Sequence, residues 1–234
     1  MQTKTIGLLG GIGWASTADY YRVLNEMVAE RLGDAHSARV VLHSMNQHDF
    51  TSRAASADPA GIITFLAEQV ARLKAGGADC VLLCANGAHR FAPALLPLID
   101  LPFISIVDAT AQQVTASGVR RVGLLGVKQT MAGRFYHDKL EACGIEVMTP
   151  SPAEQEIIHA IIYSELVQNR ITQASRRIFV DVIAGLAGQG AEGCILGCTE
   201  IALLIKPADV AIPVVDTMTI HCQAAIAFAF GDDC

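Results

Sequence analysis

One order of segments runs through this chain twice. "TIGLLGGI" from Thr5 returns as "RVGLLGVK" from Arg121, and "GADCVLLCANGAHR" (Gly77–Arg90) returns as "GAEGCILGCTEIA" (Gly190–Ala202). "ALLPLIDLPFISIVDAT" from Ala94 then returns as "ALLIKPADVAIPVVDTM" from Ala202, both ending in Val-Asp and one further residue pair. Echoes kept in one order predict two similar folding units. Within each unit, apolar runs of strand length alternate with longer segments of helical period. The strand candidates are "KTIGLLG", "RVVLHS", "CVLLCAN" and "PFISIVD", then "RVGLLGV", "IEVMTP", "GCILGCT" and "IPVVDT". Between them lie helical segments such as "STADYYRVLNEMVAERL", where Tyr20, Val23, Leu24, Met27 and Val28 recur at helical spacing and Ser16 suits an N-cap. Continuous apolar strands separated by helices predict parallel sheets covered on both faces.

The expected fold class is therefore α/β: two pseudo-symmetric, Rossmann-like parallel-sheet domains with the site in the cleft between them. The N-terminal domain is expected over residues 1–113 plus a C-terminal helix, 217–234, and the second domain over 114–216. Ligands of open parallel sheets bind at the carboxyl ends of the strands, where both halves of the Gly77/Gly190 echo lie.

Composition narrows the function. With 234 residues, 52% of them hydrophobic, the chain can bury a large core. A net charge of −6 with scattered Lys and Arg argues against nucleic acid and anionic membrane as partners. No run reaches 18 apolar residues, and the N-terminus lacks the features of a secretory signal. The seven cysteines are odd in number, and Cys80, Cys84 and Cys194 lie inside apolar runs. That fits free thiols in a reducing compartment better than a disulfide framework, so a cytoplasmic protein is expected.

Several motifs carry chemistry and also have plainer readings. "GLLGGIGWAS" is a strand, a glycine turn and a helix start, but it fails the dinucleotide spacing and no acidic residue follows at the next strand's end. Backbone N–H groups around Gly11 could meet a small anion, or the turn could only be tight. Cys80, Cys84 and His89 match no zinc spacing, so core packing is favoured and no metal is expected. Cys198 ends a strand shortly before a helix, a place where a thiol pKa can be lowered. It is a candidate nucleophile or general base, against the alternative of a small buried hydrophobe. Laid in register, Ala85 sits where Cys198 sits.

"KTIGLLGGIGWASTADYYRVLNE", "CANGAHR" and "LGCTEIALLI" resemble the aspartate/glutamate racemase family, and the likeness extends through "FISIVDAT", "LLGVKQTM" and "IIYSEL". The resemblance implies an amino-acid racemase working without pyridoxal phosphate or any other cofactor. It implies that each domain offers one residue to the substrate, one removing the α-proton and the other returning a proton to the opposite face. Cys198 matches the C-terminal catalytic position. Gly11, Ala85, Asn86, Gly87, Thr130 and Thr199 are the substrate-binding positions it suggests, for an amino acid or related carboxylate. The N-terminal motif of the family reads Cys or Thr, then Asn-Thr; here it reads Ala85-Asn86-Gly87, so the first proton carrier is absent. Ile157 stands near the place of a basic residue in acid-specific members, with Arg53 and Lys128 as possible substitutes. Strict specificity for aspartate or glutamate is therefore not expected.

Alternatives follow from Ala85. The second proton could come from Cys84, His89 or a bound water, although Cys84 should point to the other face of its strand. A single-cysteine decarboxylase of the arylmalonate type needs only one proton donor. A binding protein, an inactive relative, or a chain in which Ala85 replaces the first catalytic residue by design is the third reading. By resemblance, a homodimer is expected.

Overall fold

The computed structural model describes residues 3–56 and 58–232. The chain separates into two compact units, one running to Ile106 and resuming at Met218, the other being Val107–Thr217. In chain order the elements are β1 (Ile6–Gly10), α1 (Trp14–Leu32), β2 (Val40–Ser44), α2 (Gln47–Ala54), α3 (Pro59–Ala75), β3 (Cys80–Leu83), α4 (Ala92–Leu95) and α5 (Ile106–Ala116). They continue as β4 (Arg121–Leu125), α6 (Lys128–Met131), α7 (Arg134–Ala142), β5 (Glu146–Met148), α8 (Pro152–Ser164), α9 (Gln173–Gly188), β6 (Gly193–Leu196), α10 (Ile201–Leu204), β7 (Val214–Asp216) and α11 (Thr217–Phe230).

Both sheets are parallel, so this is an α/β fold. The first unit has the order β2-β1-β3 and the second β5-β4-β6-β7. β1 thus stands to β2 and β3 as β4 stands to β5 and β6, which is the sequence echo expressed as topology. Alternation along β3 serves two cores. Cys80, Leu82 and Cys84 join Tyr20, Leu24 and Val28 of α1 and Cys222, Ala225 and Ile226 of α11. Val81 and Leu83 join Ile62, Leu66, Val70 and Leu73 of α3. In the second unit, Leu125, Cys194 and Leu196 pack against Ile158 and Ile162 of α8 and Phe179 and Ile183 of α9.

Local expectations differ from the structure in four places. "PFISIVD" is not a strand of its own: Phe103 makes one bridge to Val81, and α5 begins at Ile106. The backbone beyond it is claimed by side chains, since Ile104 O accepts from His221 and Ile106 N–H donates to His89. Ser16 is not the N-cap of α1; Gly13 is, with no side-chain capping bond, and Ser16 is buried in the first turn. The helical period of "EQEIIHAIIYSELVQN" predicts one helix to its end, but α8 stops at Ser164, and a short 3-10 turn (Leu166–Gln168) leads to Asn169 in the left-handed region. There the Glu165 carboxylate accepts from the Thr172 and Ser175 hydroxyls, tying the break to the start of α9. α2 was not expected, because "QHDFTSRA" has a single large apolar residue, Phe50, to carry a helical period; the Asn46 side chain caps it.

Candidate active site

The ends of β3 and β6 are built alike. Cys84 N–H donates to Leu9 O at 3.0 Å, and Gly197 N–H donates to Leu125 O at 2.7 Å. Those matching bonds make Cys84 and Gly197 equivalent, so Ala85 and Cys198 are each the next residue beyond an equivalent strand end. The register expected from the sequence is the register of the backbone.

Beyond β6 the chain turns through Cys198, Thr199 and Glu200 into α10. Cys198 Sγ lies 3.0 Å from Glu200 Oε2, and the Thr199 hydroxyl donates to the same oxygen at 2.9 Å. Thr199 and Glu200 are buried and Cys198 is half-buried. Burial, followed by the charge and the hydrogen bond of Glu200, pushes the Cys198 thiol well above its ordinary pKa. This corrects the expectation of a lowered value. The helix that follows has four residues, and a carboxylate two positions away outweighs the few N–H groups it can offer. Cys198 therefore rests as a thiol that donates to a buried carboxylate. Glu200 was missed in the sequence reading, although "GCTEI" places it where a turn folds it back on Cys198.

Beyond β3 the chain turns through Ala85 into a 3-10 helix, Asn86–Phe91. Asn86 is buried, while Ala85 and Gly87 are half-buried. Cys84 points into the core shared by α1 and α11, and burial alone raises its thiol far above the ordinary value. His89 is 2% exposed. Its Nδ1 is 3.0 Å from Ala85 O, and its Nε2 accepts Ile106 N–H at 3.2 Å. Both ring nitrogens are thus engaged by backbone, which argues against His89 as a proton carrier. His221 stands beside it, with ring centroids 5.6 Å apart.

Of the other positions, Gly11 has φ +86°, and a Cβ there would lie 2.0 Å from Met45 O. Its N–H donates to Thr17 Oγ1 at 2.9 Å, so that donor is already engaged inside the unit. Thr17 also packs under Gly10 at the end of β1, as Thr130 packs under Gly126 just past β4. Thr130 is fully buried, and its Oγ1 meets no partner among the described residues. Gly197 is likewise a close approach, since a Cβ there would lie 3.0 Å from Thr130 Cγ2. Gly11, Ala85, Asn86 and Gly87 thus belong to the first unit, and Thr130, Cys198 and Thr199 to the second.

The cations are committed elsewhere. Arg53 donates to Asp49 O and lies over the Phe65 ring. Lys128 pairs with Glu156, and Ile157 beside that pair is exposed. Among the described residues no group of three or more His, Cys, Asp or Glu is placed to hold a metal, and no helix is long and apolar enough to cross a membrane.

A model of the Asp/Glu/Hydantoin racemase family matches residues 9–225. The chain belongs to that family. Among solved members of the racemase group, an Asp/Glu racemase candidate from Yersinia pestis is 39% identical, with a TM-score of 0.89 over 97% of this chain and 99% of that one. An aspartate racemase homologue from Pyrococcus horikoshii is 32% identical, with a TM-score of 0.85 over 97% of this chain and 99% of that one. A broad specificity amino-acid racemase from Bacillus subtilis is 22% identical over 228 residues, 95% of this chain and 96% of the relative. In this member of the Asp/Glu/hydantoin racemase family, Ala85 lies at a strand end whose equivalent in the second unit carries the Cys198 thiol.

Proposed function

We propose that this protein is a cofactor-independent amino-acid racemase or epimerase acting by proton transfer at the α-carbon, with Cys198 as its acid/base. The observation that carries this is the 3.0 Å contact between the Cys198 thiol and the buried Glu200 carboxylate at the end of β6. A thiol in that arrangement can give its proton to a carbanion. It can also pass its proton to Glu200 and, as thiolate, take the α-proton, forming the S–H bond with the electrons of the sulfur while the C–H pair stays on carbon. In this reading the amides of Asn86 and Gly87 are donors for the substrate carboxylate, whose charge grows as the α-proton leaves. The molecule is taken to work in the cytoplasm as a homodimer.

The substrate side chain is apolar in this proposal rather than a carboxylate. Ile12, Met45, Phe50 and Phe91 share one apolar cluster with Ala85 at the carboxyl end of the first sheet, with the Phe50 and Phe91 rings 6.2 Å apart. Arg53 and Lys128, the cations that could meet an acidic side chain, already have acidic or aromatic neighbours.

A second reading is favoured by the same loop. Ala85 has no proton to give, the His89 nitrogens are engaged, and Cys84 faces the core. A decarboxylase of disubstituted malonates fits one thiol, because loss of CO2 leaves the electron pair on carbon and Cys198 supplies the only proton required. The two are separated by incubating both enantiomers of apolar and acidic amino acids in deuterium oxide and, separately, arylmalonates. The racemase proposal expects deuterium at the α-carbon, fastest with apolar side chains and lost in Cys198→Ser. Absence of exchange across the panel, with CO2 released from a malonate, would replace it by the decarboxylase.

A further inference from the structure

Three buried side chains in the first unit form a chain of contacts that the proton-transfer scheme leaves unused. The backbone atoms they meet fix where their protons are. Ile106 N–H can only donate, so His89 Nε2 accepts and His89 carries its proton on Nδ1, facing Ala85 O. Ile104 O can only accept, so His221 carries its proton on Nε2, at 2.7 Å. His221 Nδ1 then accepts the Tyr20 hydroxyl proton at 2.8 Å. Tyr20 and His221 are fully buried, and the two imidazole rings meet edge to face. Burial keeps the His221 ring neutral, and a second proton on His89 Nε2 would set an N–H against the Ile106 N–H.

This chain of contacts joins specific backbone points. His89 grips the loop at Ala85 and the first residue of α5, and His221 grips the segment two residues before it. Ile104 and Ile106 are the last stretch of the first unit before the chain passes to Val107. Asn86 and Gly87 follow directly on the carbonyl that His89 holds.

We propose that His89, backed by His221 and Tyr20, is a positioning residue for the reaction. Its imidazole sets the orientation of the Ala85–Asn86 peptide and so aims the Asn86 and Gly87 amides at the substrate carboxylate. The proposal rests on the reading of Ala85–Gly87 as a substrate-holding loop. It assigns His89 no contact with the reacting atoms, and it explains why a residue so near the site has no free nitrogen.

The test combines a measurement that needs no substrate with one that does. Imidazole nitrogen NMR of the intact protein should show His89 as the Nδ1–H form and His221 as the Nε2–H form. In His89→Ala, amide hydrogen exchange at Asn86, Gly87 and Ile106 should accelerate about tenfold or more, a local opening rather than global unfolding. The kcat for α-proton exchange of an apolar amino acid should fall by about 10²-fold, the scale of a small misplacement, with KM moved less than about threefold. His89→Asn keeps a donor near the Nδ1 position and should recover most of both losses. Tyr20→Phe removes only the hydroxyl and should shift both measurements the same way by a smaller factor; it decides the matter if His89→Ala does not fold. The proposal is overturned if His89 proves to be the Nε2–H form or charged, or if loop exchange is unchanged in these variants. A wild-type protein that exchanges no α-proton defeats the racemase reading instead, and the nitrogen spectra and loop exchange still decide whether His89 holds the loop.

Discussion

At the scale of single residues, protonation states decide what the candidate site can do. Glu200 is one reason the Cys198 thiol holds its proton, so Glu200→Gln should lower the thiol's pKa and speed its alkylation by iodoacetamide at pH 8. In the unmodified protein the exposed Cys143 should be alkylated ahead of the half-buried Cys198, and peptide mass spectrometry reads both rates. A Cys198 that reacts faster than Cys143 before Glu200 is changed would contradict the resting thiol. His221 gives a second prediction. Burial, with the neighbouring His89 second, lowers its pKa from 6.5 to about 3. The unfolded chain then binds the extra proton first, so this stability is complete above about pH 6.5 and is lost as pH falls toward about 3. Between pH 7.5 and 4.5 the loss is about 3 kcal/mol, seen as a lower urea midpoint, and His221→Asn should flatten that slope. The sequence made Cys198 and Ala85 legible because a repeat aligns them. It could not show the protonation states, since Glu200 reaches Cys198 through a turn and His221 reaches His89 across 132 positions of chain.

At the scale of elements, the loops depend on close approaches that a helix or strand pattern does not reveal. Gly11 meets the Met45 backbone at a distance no side chain tolerates, and its φ is positive. Gly11→Ala should therefore destabilise the first unit by about 2–4 kcal/mol, measured by thermal or urea unfolding, as expected for strain plus a forced backbone shift. A change below about 0.5 kcal/mol would show that the β1–α1 turn can relax away from β2. The strands, and the helices with a strong apolar period, were readable from residue pattern alone. The start of α1 was not, because Gly13 rather than Ser16 stands at the cap and the Thr17 side chain bonds back to the turn. Its hydroxyl joins Gly11 N–H to Gly13 O, a role that exists only once β1 and α1 are docked. α2 escaped for a related reason: it is held by Phe50 and a cap rather than by a repeating stripe.

At the scale of the whole molecule, the two units are unequal in how the chain supplies them. The second is one continuous stretch, Val107–Thr217, whereas the first needs α11 from far downstream. Met218, Cys222, Ala225, Ile226 and Ala229 belong to its core beside β1 and β3. A chain ending at Thr217 should expose that core, so limited proteolysis should cut within α1 and β2 much faster than in the full chain, while α8 and α9 stay protected. Equal protection of both units in the shortened chain would contradict this. The same arrangement bears on synthesis. A ribosome releases the second unit's whole sequence before it has made the helix that closes the first. The N-terminal unit, begun earliest, is thus the one completed last, and its half-built sheet must stay out of aggregates while the later unit folds.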